Sequence, residues 1–216
     1  RPLWCIGGDG AMFDIGFQSL SRMLALGLPV KVFILDTQVY SNTGGQASTS
    51  TYIGQNTKMS LHGKKYDGKQ ERRKEIAQIA MMHPYTFVSQ TTCAHTNHFY
   101  KSVLGALEFD GPAVIICYTT CQPEHGVADN MAADQARLAV DTRTFPLLMY
   151  DPRKGEKVRE RLSLQGNPGV KGDWYTNPKS SETLDFIDFC RSEGRFSKHF
   201  DREGNPSDTL LRGKGE

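Results

Sequence analysis

Two short segments of this 216-residue sequence combine residue types that could hold a charged ligand. The first is Gly8-Asp9-Gly10, directly after the apolar run Leu3-Trp4-Cys5-Ile6 and Gly7. Glycines let a backbone approach an anion closely. A helix beginning there would turn its free N–H groups toward the same place. An aspartate at that spot would repel a bare phosphate. It makes sense if a divalent cation sits between carboxylate and phosphate, because Mg2+ takes one or two carboxylates together with phosphate oxygens. A plain strand-to-helix turn is the alternative reading of the same three residues.

The second segment is Asp36-Thr37-Gln38-Val39-Tyr40-Ser41-Asn42-Thr43-Gly44-Gly45-Gln46. It offers hydroxyl, amide and carbonyl oxygens, hard ligands suited to Mg2+ or Ca2+. Its alternative is a polar surface loop with an Asx-type turn at Asn42. A third feature is Cys121, in Tyr118-Thr119-Thr120-Cys121-Gln122-Pro123-Glu124-His125-Gly126. With Cys117 it makes a C-x3-C with His125 nearby. Structural zinc sites pair two such units, so zinc is a poor reading. A buried, unreactive thiol is the other.

The elements around these residues must bring them together. Val30 to Leu35 is a nearly continuous apolar, β-branched run, the pattern of a strand buried on both faces. Strands are also expected at 3–6, 85–89, 113–118 and 145–150, and helices at 11–26, 69–82, 95–109 and 127–140. Strands alternating with helices imply an α/β fold, doubly wound, with a mainly parallel sheet. Parallel neighbours end at one edge, so Asp9 and the loop after Asp36 can meet where open α/β sheets bind ligands. The stretch from Asp36 to about Gly68 is long and polar, and such a loop inside a compact domain is more often functional than idle.

Residues 1–150 read as one domain. Residues 151–216 read as a loop-rich C-terminal extension with a helix near 181–192, capped by Ser180 or Ser181, part of it wrapping a neighbour. A chain that opens at Arg1, a few residues before a core strand, is expected to lack an upstream part.

Charge excludes some classes. There are 26 basic and 24 acidic residues, a net charge of +2, which gives no electrostatic case for nucleic acid or a membrane surface. The basic cluster Lys64, Lys65, Lys69, Arg72, Arg73, Lys74 is interrupted by Asp67 and Glu71 and reads as a solvated loop and helix face. No apolar run approaches the roughly 20 residues that cross a bilayer. The five cysteines are an odd number without a secretory signal, which suits a reducing, cytoplasmic setting.

Taken together, these segments have a narrower likeness. Ile6-Gly7-Gly8-Asp9-Gly10, Phe13-Asp14-Ile15-Gly16-Phe17 and Asp36 to Gln46 resemble the C-terminal thiamine-diphosphate (TPP) domain of pyruvate:ferredoxin (flavodoxin) oxidoreductases. The resemblance resumes at Asp110-Gly111-Pro112-Ala113, Cys121 to Gly126 and Pro146 to Arg153, and less firmly at Thr183 to Phe200. It departs at Ala11-Met12, where the family often has a Trp-Ala pair. That departure bears on packing beside the cofactor.

The resemblance implies roles. Asp9 would ligate Mg2+ by its carboxylate, Thr37 by its hydroxyl and Val39 by its main-chain carbonyl. Gly8, Gly10 and Asn42 would hold the diphosphate, with Thr43 and Gly44 shaping the turn. Asn42 would also face the reacting end of the cofactor, the one catalytic position the resemblance assigns. Cys121 would be the distant fourth ligand of a [4Fe-4S] cluster in a full-length protein, and a free thiol otherwise, since the cluster needs four cysteines. Cys5, Cys93, Cys117 and Cys190 would be core or incidental.

The implied reaction is oxidative decarboxylation of a 2-oxoacid, pyruvate, to an acyl-CoA, with electrons passed through iron–sulfur clusters to ferredoxin or flavodoxin. Coenzyme A, the remaining domains of a parent chain and a second copy in a homodimer would be its partners. The glutamate that activates the cofactor has no candidate in residues 1–216, so the isolated chain is expected to be inactive. Two alternatives stand beside this one. One is an oxidoreductase for another 2-oxoacid, although the long Tyr52–Gly68 insert and the extension favour the pyruvate type. The other is a doubly wound nucleotide-binding or scaffold module, which would need the G-x-G-x-x-G that Gly8 to Phe13 lacks.

Overall fold

The computed structural model describes residues 2–63, 67–169, 181 and 183–214. A six-stranded sheet forms its centre. β1 (Leu3–Gly8) leads through a wide π turn at Gly10–Ile15 into α1 (Phe17–Ala25), and β2 (Val30–Asp36) returns beside β1. A long loop follows, interrupted by the small hairpin β3 (Leu61–His62) and β4 (Asp67–Gly68). Then come α2 (Ile76–Met81), β5 (Phe87–Thr92), α3 (Thr96–Glu108) and β6 (Ala113–Tyr118). The sequence order continues with α4 (Gln122–His125), α5 (Ala132–Asp141), β7 (Leu148–Tyr150), α6 (Val158–Arg161), β8 (Leu162–Ser163), α7 (Phe186–Arg191) and α8 (Asp208–Gly213).

The strands lie in the order β1-β2-β6-β5-β7-β8. The first four are parallel, and β7 and β8 add antiparallel. This is the expected α/β architecture with flanking helices. Register puts Gly8 beside Leu35 and Asp36 beside Tyr118, so the carboxyl ends of β1, β2 and β6 share one edge. β5 and β6 are buried on both faces, with Val114, Ile115 and Ile116 of β6 fully covered. Each such side chain contributes roughly 1.5–3 kcal/mol of burial free energy.

β2 is less uniformly apolar than its sequence suggests. Lys31 is buried within it and donates to the carbonyls of Phe109 at 2.6 Å and Gly111 at 2.7 Å, while Leu35 is exposed.

Several elements differ from expectation. The single helix expected over 11–26 is broken at Gly16, whose N–H reaches back to Ala11 O at 2.8 Å, a five-residue span. A Cβ on Gly16 would lie 2.4 Å from that oxygen, so the π turn needs the glycine. The helix expected over 69–82 is only Ile76–Met81. Residues 69–75 instead run beside the polar loop. Lys69 is buried and donates to Thr51 O at 2.7 Å, and Arg73 is buried against Asp36. The basic cluster is therefore not all solvated; Lys64 and Lys65 lie outside the described residues.

β5 starts two residues later than expected, because Tyr85 takes a left-handed φ of 48°. The first part of the stretch 127–140 is a 3-10 turn, Asp129–Met131, and α4 was not foreseen.

Past residue 150 the chain stays attached to the same body. β8 pairs with β7, and Phe186, Phe189, Phe196 and Leu210 join the main apolar core with Tyr52 and Tyr118. α7 begins later than expected and its cap is Asp185, which accepts from Ile187 N at 2.7 Å in a reciprocal box with Asp188. Ser180 lies outside the described residues, and Ser181 is not at the cap. Among the described residues no helix is long and apolar enough to cross a membrane.

Candidate functional site

Asp9 sits at the carboxyl end of β1, where the strand gives way to the π turn, and is fully buried. The loop after β2 folds over it. Thr37 Oγ1 donates to Asp9 Oδ1 at 3.0 Å, and the same hydroxyl lies 3.0 Å from the main-chain oxygen of Val39. Ser41 adds its hydroxyl at 2.9 Å from Thr37 Oγ1. One carboxylate, two hydroxyls and one carbonyl thus converge on a single point at the sheet edge.

The other oxygen of Asp9 accepts from Ser48 Oγ at 2.5 Å. Ser50 Oγ donates to Asp36 Oδ1, also at 2.5 Å, and Arg73 pairs with Asp36 Oδ2 at 3.1 Å. Ser48, Ser50 and Arg73 escape a sequence reading. The signal for the two serines is the hydroxyl-rich run Ser48-Thr49-Ser50-Thr51, too common in loops to assign residue by residue.

Burial raises the Asp9 carboxyl from its usual value to about 7, and the negative charge of Asp36 adds to the rise; bonds from Ser48 and Thr37 oppose it. Each hydrogen bond to Asp9 comes from a neutral donor, whereas Asp36 has a guanidinium partner. A buried carboxylate that wants compensation, ringed by oxygens, is what a hard divalent cation supplies.

The glycines of the first segment have physical causes. A Cβ on Gly10 would lie 2.3 Å from the Tyr40 ring, whose hydroxyl donates to Gly10 O and Asp14 Oδ2, both at 3.2 Å. Tyr40 therefore staples the second loop to the first. Gly8 stays open, with its nearest neighbour, Leu35 O, 3.9 Å from a built Cβ.

Asn42, Thr43 and Gly44 form the crest of a turn closed by Gly45 N to Tyr40 O at 2.9 Å, with Asn42 and Thr43 exposed and Gly44 half-buried. Thr43 Oγ1 and Gln46 Oε1 are 2.5 Å apart, and Gly44 has a φ of 103°. The Asn42 side chain makes no hydrogen bond among the described residues, which leaves its amide available to a ligand. Two charges flank the crest: Lys58 Nζ would lie 2.8 Å from a Cβ on Gly44, and the Glu124 carboxylate packs against Gly45.

Residues 1–117 match the family described as "Thiamine pyrophosphate enzyme, C-terminal TPP binding domain". The chain belongs to that family. Named relatives agree with it. The chain is 38% identical over 169 residues to the "Probable pyruvate-flavodoxin oxidoreductase" of Escherichia coli, covering 78% of this chain and 14% of that one. It is 32% identical over 198 residues to the "Pyruvate:ferredoxin oxidoreductase" of Moorella thermoacetica, covering 91% and 15%. It is 35% identical over 169 residues to the "Pyruvate synthase subunit PorB" of Thermotoga maritima, covering 74% and 52%. The chain therefore spans about a seventh of the first two relatives and about half of the third.

These residues fit what a TPP-binding domain holds. The uncompensated Asp9 carboxylate suits a divalent cation, and the open, Gly-rich crest beside it suits a diphosphate. Among the described residues no group of three His, Cys, Asp or Glu side chains could hold a metal ion, so a cation here must use hydroxyl and carbonyl oxygens as well.

Cys121 is half-buried at the N-terminal cap of α4. Cys117 is inside β6, and burial pushes its thiol up to about 12. His125 is fully buried, and its Nε2 lies 2.8 Å from Thr37 O, so that nitrogen carries the proton. Burial, reinforced by the nearby Arg195 charge, holds the ring well below its ordinary pKa and therefore neutral. It grips the loop and presents no proton to the site.

Proposed function

We propose that this chain is the diphosphate-binding half of a pyruvate:ferredoxin or flavodoxin oxidoreductase, which converts pyruvate and coenzyme A to acetyl-CoA and CO2 and passes the two electrons released through iron–sulfur clusters to ferredoxin or flavodoxin. The observation that carries the reading is the Thr37 hydroxyl, 3.0 Å from both Asp9 Oδ1 and Val39 O. An aspartate, a hydroxyl and a carbonyl so gathered, in a member of the TPP-binding family whose named relatives act on pyruvate, suit Mg2+ held against a diphosphate.

In this reading Asp9, Thr37 and Val39 ligate Mg2+. Gly8, Gly10, Asn42, Thr43 and Gly44 line the diphosphate, and Asn42 reaches the reacting end of the cofactor. Bound TPP supplies an electron sink for decarboxylation of a 2-oxoacid. The chain's own work is to anchor and aim: Tyr40 sets the distance between the two loops, and Ser48 orients the Asp9 carboxylate.

Cys121 ligates a [4Fe-4S] cluster together with cysteines from outside this chain. The partners are ferredoxin or flavodoxin, the remaining domains of a longer protein and a second copy in a cytoplasmic homodimer. The glutamate that activates the cofactor comes from another domain. Isothermal titration of the chain with TPP and Mg2+ tests the half-site: weak binding, lost in Asp9→Ala, is expected. Sub-micromolar binding that survives Asp9→Ala would contradict it.

A further inference from the structure

The turn Thr37-Gln38-Val39 has three main-chain carbonyls, and each has a different partner. Thr37 O accepts from His125 Nε2 at 2.8 Å. Gln38 O accepts from Thr51 Oγ1 at 2.6 Å and from Gln55 Nε2 at 3.1 Å. Val39 O is left to the Thr37 hydroxyl, beside Asp9. This sorting requires a left-handed backbone at Gln38, with φ 56°, which a residue with a Cβ adopts reluctantly. Something must hold it there.

The Gln38 side chain is the handle, and it is fully buried. Its amide nitrogen donates to Asp36 O at 2.5 Å and to Asp36 Oδ1 at 3.1 Å. Its amide oxygen accepts from both terminal nitrogens of Arg195, each at 3.3 Å. Arg195 is paired through Nε with Glu193, and both side chains are fully buried. Glu193 is fixed in turn by Tyr118 Oη at 3.1 Å and Gln135 Nε2 at 2.8 Å. The Arg195 carbonyl accepts from Asn56 N at 2.9 Å, so the same residue also holds the far limb of the loop.

A buried ion pair is weak evidence for stability, since desolvation offsets the attraction. A guanidinium fork that reaches 157 residues back to one amide oxygen is better explained as a geometric constraint.

We infer that the Glu193–Arg195 pair of the C-terminal segment is a positioning device for the cation site. By gripping Gln38 it fixes the turn that aims the Val39 carbonyl and Thr37 hydroxyl at Asp9, and His125 holds the carbonyl before it. The inference rests on the cation reading given above and deepens it: cofactor affinity depends on a segment that never touches the cofactor.

The test uses the complete protein as its own gene encodes it, with Mn2+ standing in for Mg2+ in the presence of TPP. The free Mn2+ paramagnetic resonance signal gives the dissociation constant. Gln38→Met removes the handle and the acceptor of the two Arg195 terminal nitrogens while keeping both charges of the ion pair. Glu193→Gln with Arg195→Gln removes the pair without leaving a lone buried charge. Arg195→Lys keeps the charge and loses the fork.

Gln38→Met and the double variant are expected to weaken Mn2+ binding about 10-fold or more, with Arg195→Lys between them and the parent. Circular dichroism should be unchanged, and amide exchange over residues 37–41 of the metal-free protein should quicken. Should the double variant fail to fold, Gln38→Met decides. Parental Mn2+ affinity in a folded Gln38→Met protein overturns the inference while Asp9→Ala still abolishes binding. If Asp9→Ala leaves Mn2+ binding unchanged, the cation reading itself fails and the inference falls with it.

Discussion

Asp36 raises the proton affinity of Asp9 across the ends of two neighbouring parallel strands. Both carboxylates are fully buried, and Arg73 pairs with Asp36 and with Glu75. In metal-free protein the Asp9 carboxyl moves from 3.8 to about 7, because burial and then Asp36 disfavour its charged form. Between those values the folded chain binds more protons than the unfolded chain. Stability is therefore fully present below about 4 and is lost as pH rises through about 7. The loss is on the order of a few kcal/mol. Thermal melts of metal-free protein between pH 5 and pH 8 should show a falling midpoint, and Asp9→Asn should flatten the slope. A parental slope in Asp9→Asn would remove Asp9 as its source.

Gly126 and Gly194 touch backbone to backbone and join α4 to the C-terminal segment. Gly126 has φ 65°, and a Cβ there would lie 2.8 Å from Gly194 Cα. Gly126→Ala is expected to cost roughly 2–4 kcal/mol, left-handed strain plus overpacking against backbone. Gly27 has a similar φ of 70° with nothing within 4 Å, so Gly27→Ala should cost only about 1 kcal/mol. Urea unfolding of the two variants separates the effects. Equal losses would mean that the Gly126 contact is slack.

Much of this architecture was legible because its signals are local. The runs at Leu3–Gly8, Val30–Asp36 and Ala113–Tyr118 announce parallel strands, and parallel strands bring Asp9 and Thr37 to one edge. The carbonyl role proposed for Val39 rests on the resemblance, since any side chain can accompany a carbonyl. The buried charges were illegible for the opposite reason. Arg73 sits in a basic stretch that looks solvated, and its tertiary partners Asp36, Tyr52 and Phe145 draw it inside. Glu193 and Arg195 lie in a charged tail-like sequence, and their meaning comes from Gln38, far away in the chain. The π turn at Gly10–Ile15 has apolar spacing close to that of a helix, so periodicity alone could not separate the two.

Lys31 offers a test of how the sheet holds its far edge. Its buried ammonium donates to two carbonyls, Phe109 O and Gly111 O, at the turn that starts β6, and sits 5.7 Å from the Phe109 ring. Burial lowers its pKa, so the bonds are made against a desolvation cost. Lys31→Met keeps the stem and strips both carbonyls of their donor. The expected loss is about 3 kcal/mol, in line with hydrogen bonds to charged groups. It should appear as a lower urea midpoint with an unchanged slope. An unchanged midpoint would show that water replaces the ammonium and that the turn is open.

The five thiols should separate by environment. Cys117 is pushed up to about 12 by burial, with Cys93 nearby adding to it, and burial likewise raises Cys190 well above its ordinary value. Neither should react with a disulfide reagent at pH 8 until the chain unfolds, since the thiolate is the reacting form. Cys93 is exposed and should label first, with half-buried Cys5 and Cys121 slower. Mass mapping of labelled peptides reads this directly, and Cys117 labelling as fast as Cys93 would sink it. The same experiment bears on the cluster. If the proposed cluster forms, Cys121 of the iron-loaded full-length protein should lose its reactivity while Cys93 keeps it. A Cys121 that labels at one rate with and without iron is not a cluster ligand.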